Sequence, residues 1–126
     1  MSIYGIGSDI VEVERIALKL NHKGFIERVF TDKEISYCLK QANMEQHFAA
    51  RFAAKEAYMK AMGSGWTENA DFREIEVIRN DNGAPSIQLH GKASKYFDSL
   101  SLENILISLS HTKQSAIAFV IIESKI

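Results

Sequence analysis

Three short segments of the chain carry residue types that could do chemistry, and the first of them ends near Asp9. Residues Ile3–Ile10 are apolar and β-branched but are interrupted by Gly5 and Gly7, a pattern that predicts a strand approached closely by another backbone. Asp9 would then project a carboxylate near the end of this strand, where a hard cation such as Mg²⁺ finds oxygen ligands. An aspartate before a helix is also a common helix cap, so both interpretations are open.

The second segment, Arg51–Lys60, places charged residues at helical spacing. Arg51 and Lys55 are four residues apart, as are Glu56 and Lys60, so each pair would share a face of a helix. Glu56 precedes Lys60, which is the favourable order for an ion pair. The segment is therefore compatible with a solvated charged face. Spacing alone favours that face with an ordinary ion pair, and the alternative is a metal-binding carboxylate beside a cation that meets a phosphate or a leaving group.

The third segment, Ser110–Lys113, lies at a predicted tight turn between two apolar strands. Its hydroxyls, imidazole and ammonium could hold an anion, although His111 is also explained as an ordinary polar turn residue. The three segments together supply two carboxylates, a lysine, an arginine and a histidine. This inventory suits phosphoryl chemistry with a divalent ion, and spacing alone takes the inference no further.

The first half of the chain is predicted to be mostly helical. Thr31 and Glu34 form a capping box at the start of one helix, and Gly63 stands where a glycine ends the longest one. The predicted helices are, in order, Val13–Leu20, Phe25–Phe30, Thr31–Gln41 and Gln46–Met62. The last is rich in alanine and has a mostly apolar stripe at 3-4-3-4 spacing, formed by Phe48, Phe52, Lys55, Met59 and Met62.

The second half of the chain is predicted to be mostly strands. The turn Asn80–Pro85 is rich in residues that tolerate a positive φ and would join two strands as a hairpin. The predicted elements are the strands Ile75–Arg79, Ser86–His90, Ile105–Leu109 and Ser115–Glu123 and the helix Lys92–Leu100. Residues 1–126 are therefore expected to form one α+β domain, with antiparallel strands packed on a long helix.

Composition excludes several classes of protein. The 126 residues are 46% hydrophobic and 25% charged with a net charge of −1, which is unlike a basic nucleic-acid-binding module. Cys38 is the only cysteine, so the chain has no intrachain disulfide and no zinc-type cysteine pair. No apolar run is long enough for a membrane span, and the N-terminus lacks the pattern of a secretion signal. A cytoplasmic location is expected.

Four motifs resemble those of the holo-acyl-carrier-protein synthases, a branch of the phosphopantetheinyl transferase superfamily. Gly5–Ile16 is similar to the N-terminal signature of that family, and Arg51–Ala57 is similar to the second signature. Asn82–Pro85 and Ser110–Thr112 resemble two further landmarks, and all four stand in the order of the family at similar intervals. The resemblance implies the 4′-phosphopantetheinyl transferase fold. It also implies transfer of 4′-phosphopantetheine from coenzyme A to a serine of apo acyl carrier protein in fatty acid biosynthesis.

The resemblance also implies roles for individual residues in this transfer. Asp9 and Glu56 would bind Mg²⁺, which would also take oxygens from the pyrophosphate of coenzyme A. Lys60 would contact phosphate oxygens and help the leaving 3′,5′-ADP, while His111 would contact the phosphates and Arg51 the ADP portion. The serine proton would go to Glu56 or to a metal-ordered water near it.

Partner binding and assembly are further implications of the resemblance. Arg15 on the first helix would meet acidic residues of the carrier protein. Lys19 and Lys23 follow at intervals of four and would extend a basic stripe if the helix persists that far; interspersed glutamates also allow scattered, solubilising charges. The family pattern implies a homotrimer with active sites at subunit interfaces. The apolar C-terminal strands are compatible with that assembly and also with a two-layer monomer.

Two other functions compete with the transferase. A binding protein for coenzyme A or a carrier protein would use Glu56 and Lys60 only as an ion pair. A magnesium-dependent phosphodiesterase would hydrolyse coenzyme A without any carrier protein. The full set of Asp9, Glu56, Lys60 and His111 favours the transferase.

Overall fold

The computed structural model of the protein describes residues 1–63 and 71–126, so most of the predicted loop 63–66 lies outside the described residues. The first half contains β1 (Ser2–Glu12), α1 (Val13–Lys19), α2 (Phe25–Val29), α3 (Asp32–Leu39) and α4 (Met44–Met62). After a short 3-10 turn, Phe72–Glu74, the second half contains β2 (Ile75–Arg79), β3 (Pro85–Leu89), α5 (Gly91–Ser99), β4 (Leu102–His111) and β5 (Ser115–Ser124).

The strands form a three-stranded sheet and a separate hairpin. The sheet has the order β1-β5-β4 with antiparallel pairing throughout, and the hairpin pairs β2 with β3. Helix α4 packs across β1 and β5 and supplies much of the core. The predicted α+β fold, with antiparallel strands on a long helix, is confirmed.

Two glycines let α4 lie directly on β1. A Cβ atom added at Gly7 would be 2.0 Å from the carbonyl oxygen of Ala57, and one added at Gly5 would be 1.9 Å from that of Ala61. Both distances are far inside van der Waals contact, so only glycine permits this approach. The close approach that the glycine-broken strand predicted is confirmed.

The pairing register places Asp9 on the same sheet face as these glycines. Side chains alternate along a strand, so Gly7 and Asp9 point to one face. Asp9 is opposite Ala118, whose side chain is fully buried beneath α4. The carboxylate of Asp9 therefore lies at the margin of the helix–sheet interface rather than on the exposed face.

Helix boundaries follow local signals where such signals exist. The capping box at the start of α3 is confirmed, because the Thr31 amide donates to Glu34 Oε1 at 2.9 Å and the Glu34 amide donates to Thr31 Oγ1 at 3.2 Å. Gly63 ends α4 in the left-handed conformation with φ 84°. Cys38 on α3 is fully buried, and burial raises the pKa of its thiol to about 11.

The helix predicted over Val13–Leu20 ends close to where it was expected, whereas the strand predicted over Ile105–Leu109 runs further, to His111. Helix α1 ends at Lys19, and a turn follows, so Lys23 does not extend the basic face of that helix. His111 is the last residue of β4 rather than part of the turn, and it is opposite Ala116 of β5.

Gly7→Ala should lower the stability of the fold without changing any charged residue. Either α4 or β1 must move to admit the methyl group, and overpacking of this kind costs about 2 kcal/mol. We expect the midpoint of thermal unfolding to fall by ~8 °C. Ser8→Ala, an exposed change on the same strand, is the matched control and should leave the midpoint unchanged; equal midpoints for both variants would contradict the close contact.

Candidate active site

Asp9 is paired with Lys60 across the helix–sheet interface. Lys60 Nζ donates to Asp9 Oδ1 at 2.9 Å and to the Ser8 carbonyl oxygen at 3.1 Å. The N-cap position of α1 belongs to Glu12, with no side-chain capping bond, so the interpretation of Asp9 as a helix cap was wrong. An open cleft of about 300 Å³ adjoins Asp9 and Lys60 and extends to Phe119.

Glu56 lies half-buried on α4, close to the carboxylate of Asp9. Burial raises the pKa of Glu56 above its usual range, and the negative charge of Asp9 acts in the same direction. The positive charges of Lys60, Lys19 and Arg15 partly offset both effects. Lys60 pairs with Asp9 instead of Glu56, so the expected Glu56–Lys60 ion pair was wrong. Within residues 1–63 and 71–126, the Glu56 carboxylate makes no hydrogen bond or ion pair.

These two carboxylates fit a magnesium ion bound together with phosphates. Magnesium is usually held by one or two carboxylates, with waters and substrate phosphates completing its coordination. The two neighbouring acidic groups repel each other, Lys60 already offsets part of this repulsion, and a divalent cation held by both would offset more of it. In the described parts of the chain, no three His, Cys, Asp or Glu side chains are placed to bind one metal ion. The described residues therefore form no fully coordinated site of the structural zinc type.

Arg51 and Lys55 do not lie on a solvated charged face, so that interpretation of the segment was wrong. Lys55 is fully buried and Arg51 is only 3% exposed. The guanidinium of Arg51 stacks over the ring of Tyr37 at 4.3 Å, and its Nη1 donates to the His47 carbonyl oxygen at 3.4 Å. Arg51 Nε is buried without a hydrogen-bond partner.

His111 belongs with Arg51 rather than with Asp9. The ring centroids of His111 and His47 are 6.0 Å apart, and His47 lies one helical turn before Arg51. Burial lowers the pKa of His47, and the nearby charges of Arg51 and His111 lower it further. His47 is therefore a further residue of the candidate site, and the sequence analysis did not identify it. Its spacing of four residues from Arg51, which places both on one helix face, could have indicated it.

The predicted site residues form two groups on one chain. The first group, Asp9, Glu56 and Lys60, lies where β1 meets α4. The second group, Arg51 and His111, lies nearer the start of α4 and on β4, which is separated from β1 by the whole of β5. Two strand spacings amount to ~10 Å, so one chain does not gather all five residues around a single point.

Arg15 lies beside the first group. It is exposed on α1, and its charge acts on the Glu56 carboxylate. Lys19 lies one turn later, with its ammonium 5.8 Å from the ring centroids of both Phe25 and Phe52. The basic face therefore consists of Arg15 and Lys19 and borders the carboxylate pair.

Comparison with known proteins identifies the family. The model of the 4′-phosphopantetheinyl transferase superfamily matches residues 5–120. The chain belongs to this superfamily. A holo-[acyl-carrier-protein] synthase from Ruminiclostridium cellulolyticum is 46% identical to this transferase-family chain over 120 residues, covering 93% of it and 90% of the relative.

Solved structures confirm the fold expected of a member of this superfamily. The crystal structure of a holo-[acyl-carrier-protein] synthase from Neisseria meningitidis superposes with a TM-score of 0.90 at 32% identity, covering 97% of this chain and 99% of the other. A Bacillus anthracis holo-(acyl-carrier-protein) synthase in complex with CoA (3′,5′-ADP) superposes with a TM-score of 0.83 at 35% identity, covering 99% and 100%. Among residues 1–63 and 71–126, no helix is long and apolar enough to cross a membrane.

Glu56→Gln should stabilise the metal-free protein at neutral pH. A raised pKa means that folding disfavours the charged carboxylate, and the neutral amide removes this cost, which solvent screening keeps small. We expect a rise of ~2 °C in the unfolding midpoint at pH 7–8, measured in chelator.

The sign of this effect fixes its pH dependence. Below the ordinary value of 4.5, the carboxyl group is protonated in both the folded and the unfolded chain, so the advantage of the glutamine should vanish. Glu103→Gln, an exposed change on β4, should show no such pH-dependent gain. A lower midpoint for Glu56→Gln at pH 8 would contradict the unfavourable environment of Glu56.

Proposed function

We propose that this protein is a holo-[acyl-carrier-protein] synthase. It transfers 4′-phosphopantetheine from coenzyme A to a serine of apo acyl carrier protein and releases 3′,5′-ADP, in fatty acid biosynthesis. The observation that carries the proposal is 46% identity, over almost the whole chain, to a protein of that name. The relative from Bacillus anthracis that binds CoA (3′,5′-ADP) supports coenzyme A as the donor. The proposed location is the cytoplasm, whose reducing conditions suit a chain with one free cysteine.

Asp9, Glu56 and Lys60 are the proposed centre of the transfer. Asp9 and Glu56 would hold Mg²⁺, which when bound would neutralise the pyrophosphate of coenzyme A. Lys60 would exchange its bond to Asp9 for one to a phosphate oxygen of the leaving group; its ammonium is half-exposed and therefore free to turn. The catalytic contribution is mainly positioning and charge neutralisation, as in other phosphoryl transfers.

Glu56 is the proposed acceptor of the proton from the carrier-protein serine. The serine oxygen forms a bond to the β-phosphorus, and the bond from that phosphorus to the 3′,5′-ADP oxygen breaks. The serine proton passes to Glu56, or to a water beside it. Glu56 supports this role by its place beside Asp9, and the water beside it is the alternative acceptor because a carboxylate that binds a metal is a poorer base.

Arg51 and His111 are the proposed contacts of the ADP portion. Arg51 is a buried cation, and it takes part in none of the ion pairs formed within residues 1–63 and 71–126. The Tyr37 ring and the His47 carbonyl oxygen compensate this charge only in part, and a bound phosphate would supply the missing anion. His111 lies at the same end of α4, as its contact with His47 shows.

A homotrimer would bring the two groups of site residues together across an interface. The sheet face opposite α4 leaves large apolar side chains open, at Ile6 (68% exposed), Ile10 (66%), Phe119 (52%) and Leu106 (50%). Such a contiguous apolar face marks an interaction surface. The cleft beside Asp9 reaches this face at Phe119, so a neighbouring subunit packed there would border it.

Mass spectrometry of the carrier protein tests the proposed function directly. Apo acyl carrier protein incubated with this protein and coenzyme A should gain the mass of phosphopantetheine at its serine, with Mg²⁺ and not with chelator. No gain with intact coenzyme A would favour the binding protein. Hydrolysis of coenzyme A without carrier protein would favour the phosphodiesterase.

Arg15→Glu should weaken the interaction with the carrier protein while leaving coenzyme A binding nearly unchanged. Charge reversal next to an acidic partner costs encounter rate and affinity, so the KM for carrier protein should rise about tenfold at low salt. Lys95→Glu, the same exposed change on α5, is the control. Equal KM values for the two variants would contradict docking at Arg15.

A further inference from the structure

The ammonium group of Lys55 is completely buried and completely satisfied. It donates to Glu34 Oε1 at 2.8 Å, to the Phe72 carbonyl oxygen at 2.7 Å and to the Ile75 carbonyl oxygen at 2.6 Å. A lysine ammonium has three donors, so all of its hydrogen-bonding capacity is used. These three acceptors lie on three different elements outside α4, namely α3, the 3-10 turn and β2.

The Glu34 carboxylate, which accepts from Lys55, is itself fixed by two further hydrogen bonds. Its Oε1 also accepts from the Thr31 amide, and its Oε2 accepts from the Val77 amide at 2.8 Å. The carboxylate is only 1% exposed. The pair Lys55–Glu34 therefore ties the middle of α4 to the first turn of α3 and to strand β2 through bonds of fixed direction.

Helix α4 is also held against the sheet by its contacts with β1 and β5. It meets β1 through Ala57 and Ala61 against Gly5 and Gly7, and Lys60 adds hydrogen bonds to Asp9 and to the Ser8 carbonyl oxygen. These contacts set the distance between helix and sheet. The three directed bonds of Lys55 add a separate restraint on the rotation of the helix about its own axis, because they reach α3, the 3-10 turn and β2, none of which belongs to the three-stranded sheet.

Rotation of α4 would move Glu56 directly. Glu56 is the next residue after Lys55, about 100° around the helix, and no hydrogen bond to the described residues holds its carboxylate. At the outer radius of a helix, a rotation of about 20° displaces a side-chain end by ~2 Å. Magnesium demands ligand oxygens at about 2.0–2.1 Å in near-ideal geometry, so a shift of that size removes a ligand.

We propose that Lys55 is a positioning residue, which holds the Glu56 carboxylate opposite Asp9 by anchoring the rotation of α4 through Glu34, the 3-10 turn and β2. The proposal rests on the proposed function, in which Asp9 and Glu56 bind a divalent cation. Lys55 itself touches neither substrate nor metal, because it is fully buried on a different face of α4.

The double variant Lys55→Met/Glu34→Gln tests the anchor. Removing Lys55 alone would leave an uncompensated buried carboxylate, whereas neutralising both partners avoids that penalty. The probe is Mn²⁺, whose free concentration is titrated by electron paramagnetic resonance in the presence of coenzyme A. We expect the Kd for Mn²⁺ to rise at least tenfold and kcat to fall, with the KM for carrier protein unchanged.

A milder variant keeps the test decisive if the double variant does not fold. Glu34→Asp retains both charges of the buried pair but shortens the side chain that reaches Lys55, and it should raise the Kd for Mn²⁺ about threefold. Phe97→Ala, a buried change in α5, serves as a destabilised control with unchanged Mn²⁺ affinity. Wild-type Mn²⁺ affinity in Glu34→Asp, or in a folded double variant, would overturn the proposal.

The failure of the proposed function has a different signature. If the wild-type protein does not bind Mn²⁺, or if Glu56→Gln binds it as tightly as the wild type, the metal site itself is wrong. If the wild type binds Mn²⁺ and Glu56→Gln does not, the proposed metal site is supported. The Lys55 and Glu34 variants then decide the anchoring role separately.

Discussion

The close contact between α4 and β1 is the constraint on which the rest of the structure depends. Gly5 and Gly7 leave the strand without side chains where the carbonyl groups of Ala57 and Ala61 press against it. Asp9 stands on that strand and Glu56 and Lys60 stand on that helix, so the distance between the backbones decides whether these three side chains meet. A methyl group added in this contact would separate them before any charged group was altered.

Electrostatics divides the candidate site into two unequal parts. Around Glu56, two carboxylates are balanced by lysine and arginine side chains that remain in contact with water. Around Arg51, a cation is buried against Tyr37 with one nitrogen lacking a partner. The first part favours a cation and the second favours an anion, and these are the two charges that a magnesium-bound nucleotide brings together.

Local signals in the sequence predicted local structure well. The capping box of Thr31 and Glu34 and the terminal glycine at Gly63 act within one helical turn, so the sequence contains everything that determines them. The two family signatures likewise contained Asp9 and Glu56. The end of α1 before Lys23 was predicted as well, since the helix was expected over Val13–Leu20 and ends at Lys19.

The hydrogen-bond and ion-pair partners of individual side chains were harder to predict, because they come from residues distant in sequence. Lys60 was expected to pair with Glu56 on its own helix, but it pairs with Asp9, which is distant in sequence. Lys55 was part of the apolar stripe of α4 and also part of a charged pattern. The apolar stripe correctly indicated that Lys55 is buried. The acceptors that make the burial of its ammonium possible come from Glu34 and from the backbone of residues 72 and 75, which are distant in sequence.

The burial of Cys38 has a practical consequence. Its thiol is closed to solvent in the core and is held protonated at neutral pH, so both access and reactivity protect it from alkylation and oxidation while the chain is folded. Because it is the only cysteine in the chain, any labelling by a thiol reagent reports exposure of this one position on α3, by local or by global unfolding. The native sequence thus carries its own single-site probe of unfolding, with no engineered residue required.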